Sequence, residues 1–330
     1  MLLNKNMEIK ALNTSHLPEI EALVRVAFAK HIGIADPNLF NSGASFATRF
    51  EIAADGAFGT FIDNKLVAAI FCTPWGSFGF FGPLVVLPEY WGGGLAQALI
   101  EKADQFFIDK NINLAGLYTF SNSPKHLALY QKFGYWPKQL TVLMSKEVCK
   151  NVCNEASNEV DSNSQPAAAK GQSTLFSQLD NAAQKTHLEA ARLLCDGIYP
   201  GLDLSLEIKA LASCKISETV FIEDEKDGTT AGFAVCHYGH GSEATSNSCY
   251  IKFAAASDEK QFSKLLSECL KLSSEVGVTH MSAGINTARH EAYKTMLENG
   301  FKIKVVGVAM LRAQHDGFNR PGVFVIDDWR

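Results

Sequence analysis

The residues of this chain best suited to act together chemically lie in one run, Gly82-Pro83-Leu84-Val85-Val86-Leu87-Pro88-Glu89-Tyr90-Trp91-Gly92-Gly93-Gly94-Leu95-Ala96-Gln97-Ala98-Leu99. An apolar strand ends at Pro88, three glycines turn the backbone without side chains, and a helix starts at once. Such a turn aims several unpaired N–H groups at one point, reinforced by the positive end of the helix dipole, and so forms a cradle for a pyrophosphate. Two nucleotide loops do not fit it. The dinucleotide fingerprint needs a glycine where Gln97 stands, and the Walker loop needs a Gly-Lys-Ser/Thr ending. A glycine-rich turn with no ligand is the competing reading.

Further on stands Asn122-Ser123-Pro124-Lys125-His126-Leu127-Ala128-Leu129-Tyr130-Gln131-Lys132-Phe133-Gly134-Tyr135. With the glycine turn, it resembles the GNAT acyltransferase superfamily, whose coenzyme A motif reads Gln/Arg-x-x-Gly-x-Gly/Ala after a strand ending in Val-x-Pro. Trp91, Gly94 and Ala96 occupy the three defining places, and Val86 and Pro88 the strand ending. Trp91 replaces the family's Gln or Arg, which removes a side-chain donor near the phosphates and leaves the backbone cradle.

The resemblance implies a mixed α/β (α+β) fold with a mainly antiparallel central sheet flanked by helices. It also implies acetyl-CoA as cosubstrate, held by the amides of Leu84 and Val86, by the turn Trp91, Gly92, Gly93, Gly94, Leu95 and Ala96, and by Asn122. Tyr130 would be the general acid that protonates the leaving thiolate, a role worth roughly 10²- to 10⁴-fold in rate. The plainer alternatives are a core tyrosine and, for Asn122, a helix cap. No His, Asp or Glu lies between Phe78 and Leu87, so the general base is a water chain or Glu89. Phe40, Phe46, Phe71, Trp75, Phe78, Phe80, Phe81, Trp91, Tyr118 and Phe120 crowd the flanking regions, and those not spent on the core point to an apolar acceptor pocket.

Placing these residues requires two domains, which 330 residues accommodate. Residues 147–172 hold no aromatic, Leu or Ile, and read as a flexible linker between a catalytic domain, 1–146, and a second domain, 173–330. The first domain reads as strand (Met7 to Leu12), helix from Thr14, helix Ala44 to Ala54, and strands Gly59 to Ile62, Leu66 to Thr73 and Phe78 to Leu87. Helix Leu95 to Ile108, strand Leu114 to Phe120, helix Pro124 to Phe133 and strand Leu140 to Ser145 follow. The second domain opens with helices and then repeats that later order, as an internal duplication. Its counterpart of the glycine turn, Phe253 to Phe262, has no glycine and sets Asp258 and Glu259 where phosphates would sit, so the second copy reads as degenerate. Its counterpart of Tyr130 is Met296, with Tyr293 one turn away. A last apolar run, Val323 to Ile326, predicts a strand on a sheet edge.

The formal charge of −5 gives no basic field for nucleic acid, no apolar run reaches membrane-spanning length, and no secretory signal is visible; the chain reads as cytoplasmic. Its eight cysteines include no Cys-x-x-Cys pair, and no metal is expected, His237 and His240 having no close carboxylate in sequence. Arg289, His290 and Glu291 read as a solvated helix face, and Asp327-Asp328 as acidic surface. The expected function is an acetyl-CoA-dependent N-acyltransferase acting on an amine of a small molecule or peptide. The alternative is a non-catalytic acyl-CoA or metabolite sensor or scaffold. The oligomeric state is not legible.

Overall fold

A computed structural model describes residues 7–39, 45–148, 173–212 and 214–330. The first half runs β1 (Met7–Ala11), α1 (Leu17–Ile32), α2 (Ala47–Ala53), β2 (Ala57–Ile62), β3 (Lys65–Trp75), β4 (Phe78–Val86), α3 (Leu95–Asp109), β5 (Leu114–Phe120), α4 (Pro124–Gln131) and β6 (Tyr135–Glu147). The second runs β7 (Thr174–Leu175), α5 (Asn181–Ile198), α6 (Ser205–Ala212), β8 (Ser217–Glu223), β9 (Thr230–His237), β10 (Ser248–Ala256), α7 (Glu259–Glu275), β11 (His280–Asn286), α8 (His290–Glu298), β12 (Lys302–Arg312) and β13 (Phe324–Ile326).

Local chemistry explains most boundaries. Asp63 and Asn64 sit at φ 50° and 64°, the left-handed turn that joins β2 to β3. Ile20, Leu23, Val24 and Ala27 recur at helical spacing on the buried stripe of α1, and Gly33 at φ 82° ends it. β3 is apolar almost throughout because helices cover both of its faces.

The halves are joined through one thirteen-stranded sheet in the order β1-β2-β3-β4-β5-β12-β6-β11-β10-β9-β8-β7. Each half lends the other a strand: β12 lies between β5 and β6, and β6 lies between β12 and β11. This double pairing makes β6 far longer than the strand read at Leu140 to Ser145. It carries on into the segment read as linker, where Val148 donates to the Thr279 carbonyl at 2.9 Å. The rest of that segment, 149–172, lies outside the described residues, as do Phe40 and Ala44. A shared core reinforces the join, with Trp75 meeting Phe253 edge-on at 5.3 Å.

β13 forms where a strand was expected, but on an interior strand rather than a sheet edge. Its residues 324–326 pair antiparallel with Ala254–Ala256 of β10. There β10 has already parted from β11, the parallel pairing of the two ending at Ile251 and Ala283.

Candidate active site

The first half repeats that parting and leaves it open. β4 and β5 pair in parallel only over Phe78–Phe80 and Leu114–Gly116, then diverge. The cleft they leave has a volume of about 960 Å³ and is lined by β4, β5, α1, α4 and the start of α3, together with Glu243, Tyr250, Val305, Trp329 and Arg330 from the second half.

Strand alternation fixes which β4 amides face the cleft. The Leu87 N–H donates to the Val67 carbonyl on β3 at 2.9 Å, so the neighbouring N–H of Val86, and that of Leu84 two residues back, point the other way. Leu84 and Val86 both line the cleft. Past β4, Gly92 and Gly94 adopt φ 80° and 83°, a left-handed backbone that a side chain resists. A Cβ built on either would meet nothing within 4 Å, so the space over the turn is open. Gly94 caps α3 without a side-chain bond, leaving the first amides of that helix to face the cleft. Gly92, Gly94, Leu95 and Ala96 line it, whereas Gly93 turns away.

Trp91 spans the turn. Its indole N–H donates to the Val86 carbonyl at 2.8 Å, and the Lys125 ammonium lies 4.5 Å from its ring centre. A cation therefore stands at the mouth of the cleft although Trp91 itself brings none. Asn122 is exposed and outside the lining; the N-cap of α4 is Ser123.

Tyr130 is buried in α4, its ring 5.9 Å from Phe81 and 6.4 Å from His126. Its hydroxyl makes no hydrogen bond to a described residue, and burial pushes its pKa above the ordinary tyrosine value. It therefore stays protonated and can donate. Two imidazoles that the sequence reading left without a role lie on this side of the cleft: His126 beside Tyr130, and His31 4.8 Å from His126. Burial and then the Lys125 charge push His31 down, and burial, His31 and Lys125 push His126 to about 4. Both are neutral near pH 7, and His126 Nδ1 is buried without a partner among the described residues. Glu89, a candidate base in the sequence, is instead exposed, with Lys65 3.8 Å away.

The far end of the cleft is polar and comes mostly from the second half. Arg49 of α2 donates to Glu243 at 2.6 and 3.1 Å and to the Gly82 carbonyl, and Glu243 also binds Lys252. Lys252 lies 2.9 Å from Glu207, which accepts from the Trp75 indole at 2.9 Å. Burial opposes the Glu243 charge, but Arg49, Lys252 and His237 together hold its carboxyl well below the usual range. The carboxylates missing near His237 in sequence are thus supplied by the fold: Glu207, His237 and Glu243 offer atoms within 4.8 Å of one another. Lys252 stands between the two carboxylates, 2.9 Å from Glu207 and in contact with Glu243, while His237 Nε2 has no hydrogen-bond partner among the described residues.

Two surface expectations are overturned. Arg289 is fully buried, and its guanidinium binds Asp327 at 3.0 Å, Asn319 at 2.7 Å and the Val325 carbonyl at 3.0 Å. Asp327 and Asp328 are buried too: Arg289 holds both oxygens of Asp327, and Arg330 and Tyr250 hold Oδ1 of Asp328, whose Oδ2 has no partner among the described residues.

At the corresponding place in the second half, the turn before α7 carries no glycine. Asp258 caps α7 by accepting from the Gln261 N–H at 2.9 Å, so the helix end is already served by a carboxylate. Met296, at the place of Tyr130, is wholly buried.

A mixed sheet whose central strands part beneath a glycine turn and a helix N-terminus is the arrangement of the GNAT fold. Residues 26–135 match the model of the Acetyltransferase (GNAT) family, and this part of the chain is a GNAT domain. No curated protein matches the chain in sequence. Among solved structures it is similar to a candidate acetyltransferase of Pyrococcus horikoshii, with a TM-score of 0.65 and 12% identity, covering 98% of this chain and 95% of that one. It is also similar to a GCN5-related N-acetyltransferase of Sphaerobacter thermophilus, with a TM-score of 0.58 and 15% identity over 96% of both chains. A third is the N-myristoyltransferase of Saccharomyces cerevisiae, solved with myristoyl-CoA, with a TM-score of 0.59 and 14% identity over 94% of this chain and 80% of that one. These likenesses are of fold. No helix among the described residues is long and apolar enough to cross a membrane.

Proposed function

We propose that the chain is an acetyl-CoA-dependent N-acyltransferase whose first half binds the cosubstrate and whose acceptor is an amine of a small molecule or peptide. The observation that carries this reading is the convergence on one cleft of the open Gly92–Ala96 turn, the inward amides of Leu84 and Val86, and the Tyr130 hydroxyl. The turn and the start of α3 suit a pyrophosphate, β4 suits the amide-bearing arm, and Lys125 supplies the cation that Trp91 does not.

Coenzyme A presents the acyl group as a thioester, which the acceptor nitrogen attacks at the carbonyl carbon. The C–N bond forms as the C–S bond breaks; Tyr130 gives its proton to the departing sulfur, the attacking nitrogen gives up its proton to solvent, and solvent returns a proton to Tyr130. The second half acts as a wall of the acceptor site, through Glu243, Tyr250, Trp329 and Arg330. A cytoplasmic location belongs to this reading, in keeping with Cys236 and Cys269 meeting as thiols at 3.8 Å.

The test is thiol release from acetyl-CoA by the full chain over a panel of small amines, amino acids and peptides, with calorimetric binding of acetyl-CoA measured alongside. Turnover with one acceptor class supports the proposal. Binding without turnover across the panel makes the protein a sensor, and an absence of binding removes the cofactor assignment.

A further inference from the structure

The slot between β10 and β11 is the second half's version of the cleft, and the chain's own residues fill it. β13 pairs with Ala254–Ala256, and Arg289 fixes it by holding the Val325 carbonyl and the Asp327 carboxylate. Residues 327–330 then pass as a strap into the first half's cleft.

Three strand glycines clear the way for this strap. At Gly284 on β11 a Cβ would stand 2.1 Å from that of Asp328; at Gly116 on β5 it would stand 3.1 Å from the Trp329 ring. At Gly82 on β4 it would lie 3.5 Å from the backbone of Trp329 and Arg330. Trp329 takes φ 52°, an uncommon conformation for an aromatic residue, and its ring packs on Phe78 at 4.9 Å and Phe318 at 5.9 Å. The Arg330 guanidinium lies 4.4 Å from the Tyr250 ring centre and 3.0 Å from Asp328.

The strap therefore closes the cleft where β4 and β5 meet. From Val86 to Gly82 the cleft runs about 13 Å along β4. With phosphates at the glycine turn and the amide-bearing arm along Val86 and Leu84, the acyl group arrives at Gly82, directly against Trp329 and Arg330. What it meets there is the strap's backbone, with the Trp329 ring packed against Gly116 on the facing strand β5, and a charged rim that includes Arg49 and Glu243. A long alkyl chain entering that end would have to displace the Trp329 ring and lie against a buried ion pair that offers it no apolar surface.

We propose that Trp329 is the acyl-length stop of this site, restricting it to short-chain acyl-CoA. This rests on the coenzyme A reading of the cleft. Nothing assigned from the motifs concerns the acyl end, and the stop is delivered by the far end of the other half.

The test is calorimetric binding of coenzyme A, acetyl-CoA, butyryl-CoA and octanoyl-CoA to the full chain, to Trp329→Phe and to Trp329→Gly, with melting temperatures to confirm folding. Glycine also accepts the left-handed backbone at this position. The wild type should bind acetyl-CoA at least about tenfold tighter than octanoyl-CoA, a preference that narrows in Trp329→Phe and falls within about threefold in Trp329→Gly. Affinity for coenzyme A itself should change less than about twofold. If the glycine variant does not fold, the phenylalanine variant decides. Octanoyl-CoA bound by the wild type as tightly as acetyl-CoA, or an unchanged preference in a folded variant, overturns the stop while leaving the cofactor assignment standing. Failure of the wild type to bind coenzyme A overturns both.

Discussion

Replacing Tyr130 by Phe removes one hydroxyl and almost nothing else. The ring contacts with Phe81 and His126 persist, and the hydroxyl makes no hydrogen bond to a described residue, so no buried partner is orphaned. The melting temperature should shift by no more than about 4 °C, the equivalent of a surface-scale change below ~1 kcal/mol. The rate should respond much more. A positioned general acid is worth roughly 10²- to 10⁴-fold, and water replacing the lost donor recovers part of that, which leaves an expected fall in kcat of about tenfold or more. Acetyl-CoA affinity should stay within about twofold, because the hydroxyl acts at the sulfur as the bond breaks. Burial raises the Tyr130 pKa above its ordinary value, so the wild type should keep the acid protonated through pH 9, with no activity loss there from this group. Thiol release under single-turnover conditions isolates the chemical step. An unchanged single-turnover rate in Tyr130→Phe would refute the assignment and return Tyr130 to the core.

Other expectations concern stability. Burial holds the His237 pKa near 3 against 6.5, with Lys252 and Arg49 adding to the depression and Glu243 opposing it. The folded chain therefore refuses a proton that the unfolded chain accepts, and stability falls as pH drops from 6.5 toward 3, by up to about 5 kcal/mol at ~1.4 kcal/mol per unit. His237→Leu should flatten the decline in urea midpoint between pH 6.5 and 4; an identical slope would contradict this. Arg289→Met leaves the Asp327 carboxylate buried without its partner and should cost about 3–5 kcal/mol by urea unfolding, whereas a change below ~1 kcal/mol would mean the pair is not formed.

What the sequence revealed and what it hid follow from physical causes. The turn at Gly92 and Gly94 was legible because left-handed backbone leaves a mark on residue type, and Tyr130 because helix and turn spacing tie it to that loop. Asp258, read as a charge set against phosphate, takes the place of the N-cap of α7. The exchange of β6 and β12 was not legible: period-two alternation shows that a strand is half-buried, not which strand lies beside it. Arg289, Asp327 and Asp328 read as surface because charge is a surface signal until partners 38 residues apart, as Arg289 and Asp327 are, meet in the fold. Glu207 and Glu243 reach Lys252 from separate elements for the same reason. His31 and His126 gain meaning only where α1 and α4 converge.

The central claim is that one chain binds one coenzyme A, in the first half. Calorimetric titration of acetyl-CoA tests it most directly, run on the wild type and on Gly94→Val. Because Gly94 sits at φ 83°, valine strains the turn and carries its methyls into the open cradle, where losing even one phosphate contact of about 1.5–3 kcal/mol weakens binding roughly 10- to 100-fold. The account predicts a stoichiometry near one that is lost, at the same protein concentration, in the folded variant. A stoichiometry near two, or undiminished binding by folded Gly94→Val, would contradict it.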